Sequence, residues 1–456
     1  MSVADALLTP DQAVLWNLER RSPGLHVAGL ALVSGEIDRQ ELLHWMTRLR
    51  RLPRFCLRVE GSRYGPQRWR SAPFELGEHL HVVSNGNPVS ALDEALSKPL
   101  DPGRPLWELH LAPGYHDAGD ALLVKSHLVA ADGLATGDFF HALFASGTEV
   151  DEKKAAGPAT NGVRSEARPT EWFENWTRTS QDLMAGLQEL SSEETRTAFL
   201  TLSETMPDLG LPPLPLPFNG QLSGRRRLIR TAFPYGDIRA IRARLGGTLS
   251  DLVVALAGGA LQRYLTARGV SIHGRSLRVA LATDIPEHER KRRSLLPIEV
   301  PLEVGAAARL RSVHQLARLL RAARVADVLS RFTGMQQAAG PLAAAALAMT
   351  SSVRPPFHLT VANANGPQIP QFLAGRPLSG YTPSWPLGFG QGLSCAFFAY
   401  NQSLHVGLTV DERGCPDAET LPDLLAESFA ELHEAAGSVP RRRRKTPFQA
   451  QPTAVP

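Results

Sequence analysis

Apolar residues along this chain recur at two spacings, helical and alternating, and the pattern switches between them repeatedly. TPDQAVLWNLER (9–20) sets Thr9 as a cap, Pro10 at the first helical position, and Ala13, Leu15, Trp16 and Leu18 along one stripe, which predicts a helix. HVAGLALVSG (26–35) reads as a strand stopping at a turn, and DRQELLHWMTRLRRL (38–52) as an amphipathic helix burying Leu42, Trp45, Met46 and Leu49. LVKSHLV (123–129) is a further strand, followed by the helix-like LATGDFFHALF (134–144). This mixture predicts α+β layers around a sheet.

The pattern breaks between residues 150 and 220. DEKKAAGPATNGVRSEARP (151–169) has the composition of an exposed connector. A helical run, TEWFENWTRTSQDLMAGLQEL (170–190), follows, and then LPPLPLPFNG (211–220), which its prolines keep out of helix.

Periodicity returns near 225. RRLIRTAFP (226–234) and LRVALATDIP (277–286) predict strands, with helices over YGDIRAIRARLG (235–246) and TLSDLVVALAGGALQRYLTARG (248–269) between them. ARLRSVHQLARLLRAARVADVL (308–329) is a long amphipathic helix. FHLTVANANGP (357–367), CAFFAYNQS (395–403) and LHVGLTVDE (404–412) predict late strands, and PDAETLPDLLAESFAELHEAA (416–436) a closing helix capped near Asp417. No literal internal repeat is present. The organisation expected is an N-terminal domain over 1–150, a crossover with a helical segment over 151–220, a C-terminal domain over 221–436, and a basic, proline-rich tail over 437–456.

Composition narrows the class. A chain of 456 residues with 43% apolar content supports two domains with their own cores. Cys56, Cys395 and Cys415 are far apart in sequence and form no CxxC pair, which argues against a disulfide framework or a zinc or iron–sulfur site and predicts free thiols; no metal is expected. MSVADALLTPDQ lacks a basic n-region, and the most apolar window, AAGPLAAAALAMTSSV (338–353), is short and broken by Gly340 and Pro341. A cytoplasmic protein with no transmembrane segment and at most peripheral lipid contact is expected. The +4 net charge is partly local, in PRRRRK (440–445), GRRRLIR (224–230) and ERKRR (289–293). No zinc-finger spacing or interleaved aromatics accompany these runs, so nucleic acid is not an expected partner. They suit a phosphorylated cofactor such as coenzyme A, or an acidic carrier protein.

The chemistry-bearing stretch is KSHLVAADG (125–133). A strand-end histidine, His127, can serve as a general base, with Asp132 orienting it and Gly133 turning the chain tightly. The plainer reading is a histidine bonded to backbone, with Asp132 capping the next helix.

In its wider setting the chain resembles the bacterial wax ester synthase/diacylglycerol acyltransferase family, within the condensation-domain and CoA-dependent acyltransferase group. The resemblance runs from LTPDQAVLWNLE (8–19) to about residue 435, through PRF (53–55), LWELHL (106–111), LVKSHLVAADG (123–133), PLPFNG (215–220), LGGTLSDLVVALAGGALQRYL (245–265), ANANGP (362–367), FLAG (372–375), GQGL (390–393) and LHVGLTVD (404–411). It implies an α/β sandwich fold: two condensation-like halves in a V with a central tunnel. An acyl thioester of coenzyme A or phosphopantetheine would be co-substrate rather than bound cofactor, and an alcohol or amine the acceptor. An acyl carrier protein is an implied possible partner.

The family motif is HHxxxDG; the resemblance implies that its second histidine acts as general base on the attacking hydroxyl or stabilises the intermediate, and that its aspartate mainly holds the loop in shape. Aligning Asp132–Gly133 with its end puts His127 on the first histidine and Leu128 on the second. Strand parity places Ala121, Leu123, Lys125 and His127 on one face and Leu122, Val124, Ser126 and Leu128 on the other, so the His127 ring is expected to point away from the tunnel unless a bulge turns it. His127 is thus a candidate catalytic base or a structural or substrate-binding residue. Ser126 lacks the base and elbow that a nucleophile needs.

The family's Asn-Asp pair stands here as Ser250–Asp251, with Ser250 a possible helix cap. Its Asn-Val-Pro-Gly-Pro loop stands as Asn363 to Pro367, keeping Asn363 and Gly366. Thr283 ends a strand near the implied cleft, and His26 corresponds to a position near the tunnel. Arg104 is expected to pair with an internal carboxylate, Trp107 to pack, and His110 and His405 to be buried and hydrogen-bonded. Three functions remain open: acyl transfer to an alcohol or amine, a tunnel reused for cyclisation, dehydration or hydrolysis of an acyl or polyketide-like substrate, or a non-catalytic homologue binding acyl chains or carrier proteins.

Overall fold

A computed structural model describes residues 6–8, 10–19, 24–51, 53–61, 67–72, 75–83, 87–130, 140, 143–144, 192–211, 213–286, 291–329, 356–388 and 390–438. The helical run predicted over 170–190, Asp132, Gly133 and the basic tail lie outside the described residues.

Helix α1 (Pro10–Glu19) leads into strand β1 (His26–Val33), which is buried at nearly every position because it lies inside a sheet covered on both faces. The Asp38 carboxylate caps α2 (Arg39–Met46) by accepting from the N–H groups of Gln40 and Glu41, and Leu42, Trp45 and Met46 are buried. The chain then tightens into a 3-10 turn over Thr47–Arg51, so the helix is shorter than its sequence pattern. A small hairpin, β2 (Leu57–Glu60) and β3 (Arg68–Ser71), precedes β4 (Leu80–Val82). Helix α3 (Pro88–Ser97), capped by Asn87, precedes the antiparallel pair β5 (Trp107–His116) and β6 (Gly119–His127).

The second part opens with α4 (Glu193–Thr205) and β7 (Arg226–Pro234), then α5 (Tyr235–Leu245) and α6 (Leu249–Ala267). Strands β8 (Ser276–Pro286) and β9 (Lys291–Pro301) pair antiparallel before α7 (Ala306–Ala322). Strands β10 (Leu359–Asn365), β11 (Phe372–Leu373), β12 (Arg376–Ser384), β13 (Leu393–Tyr400) and β14 (Ser403–Asp411) follow, and α8 (Leu421–Ser438) closes the chain. The Asp417 side chain does not cap the start of the closing helix as its sequence suggests: it makes no cap bond and its carboxylate instead takes the Arg268 guanidinium at 2.6 Å.

Two six-stranded sheets result, ordered β11-β12-β1-β6-β5-β4 and β7-β14-β13-β10-β8-β9. Strands β11 and β12, which lie inside the 221–436 span, complete the first sheet, with β12 antiparallel to β1 from Ala28↔Ser384 to Leu32↔Gly380. The sheets meet where Leu122, Val124 and Tyr381 of the first share a core with Ala362, Ala396, Phe398 and Tyr400 of the second. Gly407 allows that approach: a Cβ there would overlap the Pro383 carbonyl oxygen. The opposite face of β6 carries Ala121 and Leu123 against Leu92 and Leu96 of α3. Helices α6, α7 and α8 cover the other face of the second sheet, and α6 is buried along most of its length. Among the described residues no single helix is long and apolar enough to cross a membrane.

Candidate active site around His127

His127 is the last residue of β6 and lies directly opposite His26 of β1, so the two side chains share a face. Both are buried. The His26 Nε2–H donates to the Leu96 carbonyl at 2.8 Å. Burial, joined by the nearby Lys125 and Arg226 charges, drives the His26 pKa well below the usual histidine range, so the ring is neutral. Its Nδ1 has no hydrogen-bond partner among the described residues.

The His127 ring turns beneath α1. Its edge meets Trp16 with centroids 5.4 Å apart, and its Nδ1 accepts from the Val129 N–H at 3.0 Å. In that tautomer Nε2 carries the proton. Among the described residues the nearest carboxylate oxygen, Glu19 Oε2, lies 3.7 Å from Nε2, too far for a hydrogen bond. The Glu19 carboxylate is committed to the N–H groups of Gly24 and Leu25. Burial would raise its pKa, but His127 and these two donors outweigh burial and hold it below the usual range. With Nδ1 taken by the Val129 N–H and the proton on Nε2, the ring has no lone pair free to accept a proton from an acceptor hydroxyl until that bond breaks.

The chain beyond His127 is fixed by backbone bonds. Leu128 is half-buried and its N–H donates to the Leu25 carbonyl at 3.0 Å, while the Ala130 N–H donates to the His127 carbonyl at 2.9 Å. Two residues before His127, Lys125 is fully buried. Its Nζ donates to the carbonyls of Ala95 and Lys98 at the C-terminal end of α3, and to Glu108 at 3.3 Å. Ser126 Oγ lies 3.5 Å from the Leu106 carbonyl.

The candidates in the second half take other roles. Ser250 is half-buried in the first turn of α6 but is not its cap. Thr248 is, in a reciprocal box with Asp251, because the cap lies three residues before the acidic partner. Asp251 is fully buried and also accepts from His314 Nδ1 at 2.8 Å and Arg321 Nη2 at 3.0 Å, tying α6 to α7. Burial alone would raise its pKa; Thr248, His314 and Arg321 together hold it below the usual carboxylate range.

Thr283 is half-buried on β8 opposite Ser294, and Asn363 lies on β10 beside Phe397 with its Oδ1 buried and unpartnered among the described residues. Gly366 is a packing position: a Cβ there would overlap the Phe398 ring, and its N–H donates to the Ala399 carbonyl at 3.2 Å. Among the described residues no hydrogen bond or ion pair links His127 to Ser250, Asp251, Thr283, Asn363 or Gly366.

Arg104 pairs with Glu78 and Asp101 on the surface, not with an internal carboxylate, because its turn lies outside the sheet. Trp107 is fully buried and its Nε1–H donates to the Phe55 carbonyl at 3.0 Å. His110 and His405 are only half-buried. His110 bonds Glu108, and burial beside the Arg230 charge pushes His405 down to about 4. Sequence reasoning did not single out Glu19, which organises the loop beneath His127, or Arg226, whose buried guanidinium donates to the Gly24 carbonyl from β7. The Arg226 N–H donates to Ser97 Oγ at 2.7 Å and the Leu228 N–H to Asp93 Oδ1 at 3.0 Å, so β7 of the second sheet holds α3 and the lead-in to β1. Only the position of Arg226 inside an Arg-rich strand hinted at this.

The chain matches the wax ester synthase/diacylglycerol acyltransferase catalytic domain over residues 8–253 and the WS/DGAT C-terminal domain over residues 294–433. It is 26% identical to a putative diacylglycerol O-acyltransferase of Mycobacterium bovis and to a probable one of Mycobacterium tuberculosis, each alignment spanning 93% of this chain and 94% of the relative. Among solved structures, the wax ester synthase/diacylglycerol acyltransferase of Marinobacter aquaeolei VT8 superposes with a TM-score of 0.65 at 21% identity, covering 95% of this chain and all of that one. A starter condensation domain of rhizomide synthetase, solved with C8-CoA and Leu-SNAC, superposes with a TM-score of 0.59 at 13% identity over 96% of this chain and 95% of that one. The mixed α/β architecture of two sheets is therefore shared with condensation domains as well. With both of its halves matched, the chain belongs to the wax ester synthase/diacylglycerol acyltransferase family.

Proposed function

We propose that this protein transfers an acyl group from a coenzyme A thioester to an alcohol or amine, with Leu128 where the family motif carries its base and His127 as a positioning residue. The observation that supports the transfer reading most is the match of both halves to the family, together with relatives named as acyltransferases over nearly their whole length. The C8-CoA complex of the condensation-domain neighbour supports a thioester donor.

The bond of the Val129 N–H to His127 Nδ1 favours a reaction that does not depend on that ring as base. Catalysis then rests on holding donor and acceptor together, which contributes several kcal/mol, about 7–11 in favourable cases. An amine acceptor suits this arrangement better than a hydroxyl, since a neutral amine nitrogen is nucleophilic enough to attack a thioester before it gives up its proton. Apolar Leu128 also suits a bulky hydrophobic substrate. A carrier-protein thioester is the alternative donor.

The test incubates purified protein with a long-chain acyl-CoA and, separately, hexadecanol, a diacylglycerol and an alkylamine, reading product and released thiol. Ester or amide above the protein-free background, with the amine ahead, supports the proposal. Free acid with thiol release points instead to a reused hydrolytic tunnel. No thiol release with any acceptor, either in the native protein or in Leu128→His, would refute the transfer reading and leave the non-catalytic homologue.

A further inference from the structure

On the face of the first sheet that carries Lys125, three metal-capable side chains converge away from His127. His81 of β4 and His110 of β5 are register partners in a parallel pair, so their rings lie side by side, with centroids 4.8 Å apart. Glu108 lies two residues before His110 on the same strand and therefore on the same face. Donor atoms of all three lie within 4.8 Å of one another. None of the three has been given a role in acyl transfer above.

We infer that His81, Glu108 and His110 form a binding site for a divalent transition-metal ion of the zinc class. Glu108 Oε2 and His110 Nε2 are 3.1 Å apart. Donors at that spacing on bonds of about 2.1 Å subtend about 95° at a metal, within the range of ordinary coordination. The pair now shares the His110 proton. An ion entering there takes the Nε2 lone pair, and the ring keeps its proton on Nδ1, the tautomer in which a histidine ligates through Nε2. His81 is exposed, and rotation of its ring brings a nitrogen to the ion at low cost, because the terminal histidine torsion is broad. Two imidazoles and one carboxylate select zinc, cobalt, nickel or copper over magnesium or calcium.

The surroundings fit an ionised ligand. Lys125 Nζ lies 3.3 Å from Glu108 Oε2, which favours the ionised form of the ligand. Lys125 keeps the carbonyls of Ala95 and Lys98 as partners, so it can orient Glu108 from behind as outer hydrogen-bond partners orient metal ligands. Its positive charge opposes a dication and so lowers the affinity of the site. Among the described residues strand β4, three residues long, lies at the sheet edge and pairs with β5 alone. An ion bridging His81 to Glu108 and His110 staples that edge.

The experiment titrates chelator-treated full-length protein with Zn²⁺ and with Co²⁺, by calorimetry and by Co²⁺ absorption, and measures the melting temperature with and without Zn²⁺. One ion per chain and a Zn²⁺-dependent rise in melting temperature are expected. His81→Ala and His110→Ala should each weaken binding by at least the ~10-fold that loss of an outer partner alone costs. His81→Ala is the decisive variant, since an exposed ring can be removed without unfolding the sheet. His273→Ala, at the separate surface pair with Glu303, should leave binding unchanged. The inference is overturned by absence of saturable binding, by unchanged affinity in His81→Ala, or by binding that His273→Ala removes.

Discussion

The Val129 backbone N–H donates to Nδ1 of His127 at 3.0 Å, a bond between two buried groups two residues apart. It consumes the lone pair that a general base needs and fixes the ring against Trp16 and above Glu19.

His127→Ala should therefore lower acyl transfer less than ~10-fold, short of the 10²–10⁴-fold that loss of a general base costs. Stability should fall by about 1–3 kcal/mol, because the Val129 donor loses its buried partner. Steady-state rates and denaturant midpoints measured side by side check this; a rate loss above a hundredfold with unchanged stability would contradict it. Leu128→His should accelerate ester formation from an alcohol more than amide formation from an amine.

Asp251→Ala removes the acceptor for Thr248, His314 and Arg321 at once. A loss of about 3–5 kcal/mol is expected, as for breaking a buried ion pair. Since the folded pKa of Asp251 is depressed, its contribution is complete above the unfolded value and disappears as pH falls through the folded one. Chemical denaturation of the two proteins across acidic pH should show their difference shrinking on acidification.

His358 is held at both nitrogens: Nδ1 accepts from the Arg278 N–H at 2.8 Å and Nε2 donates to the Leu214 carbonyl at 2.9 Å. Protonating Nδ1 would set donor against donor, and burial together with the Arg278 and Arg275 charges pushes the pKa down to about 4. The unfolded state binds this proton more readily, so stability is full above the unfolded value of about 6.5 and falls as pH drops toward 4. His358→Gln should flatten the melting-temperature profile in that window.

Asp93 behaves in the opposite sense. Burial pushes its pKa up to about 6 where it meets the Leu228 N–H. Its folded state resists ionisation, so its contribution falls as pH rises from about 4 to 6. Asp93→Asn keeps an acceptor for Leu228 and should raise the melting temperature at pH 7–8 but not at pH 4. Equal shifts at both pH values would show that the gain comes from something other than the charge.

Gly407→Ala forces a Cβ onto the Pro383 carbonyl where β14 meets β12. A destabilisation of about 1–3 kcal/mol or more is expected, read from the denaturant midpoint, with the same change at Gly236, whose Cβ would meet nothing, close to neutral.

Much of the architecture was legible in the chain itself. The runs at 26–35, 226–234, 277–286, 395–403 and 404–412 all carry strands, because their apolar residues are dense and β-branched or aromatic. Alternation along Ala121 to Val124 likewise fixed which core each side chain enters. Strands β9 and β12 were not legible. RPLSGYTPS has the prolines and glycine of a loop, and KRRSLLPIEVP opens on three cations and carries a proline. Their strand state comes from pairing with β1 and β8, partners far away in the sequence or across a turn that local propensity does not report.

The site divides in the same way. By itself the sequence determined that His127 stands at a strand end, that Leu128 follows it, and that Asp251 opens a buried helix. Only the tertiary structure decided that His26 faces His127, that Val129 occupies the ring's lone pair, that Thr248 rather than Ser250 caps α6, and that Asp251 binds His314 and Arg321. The physical reason is range. Periodicity and capping act over a few residues, whereas the partner that satisfies a buried polar atom is chosen by packing between segments brought together from across the chain.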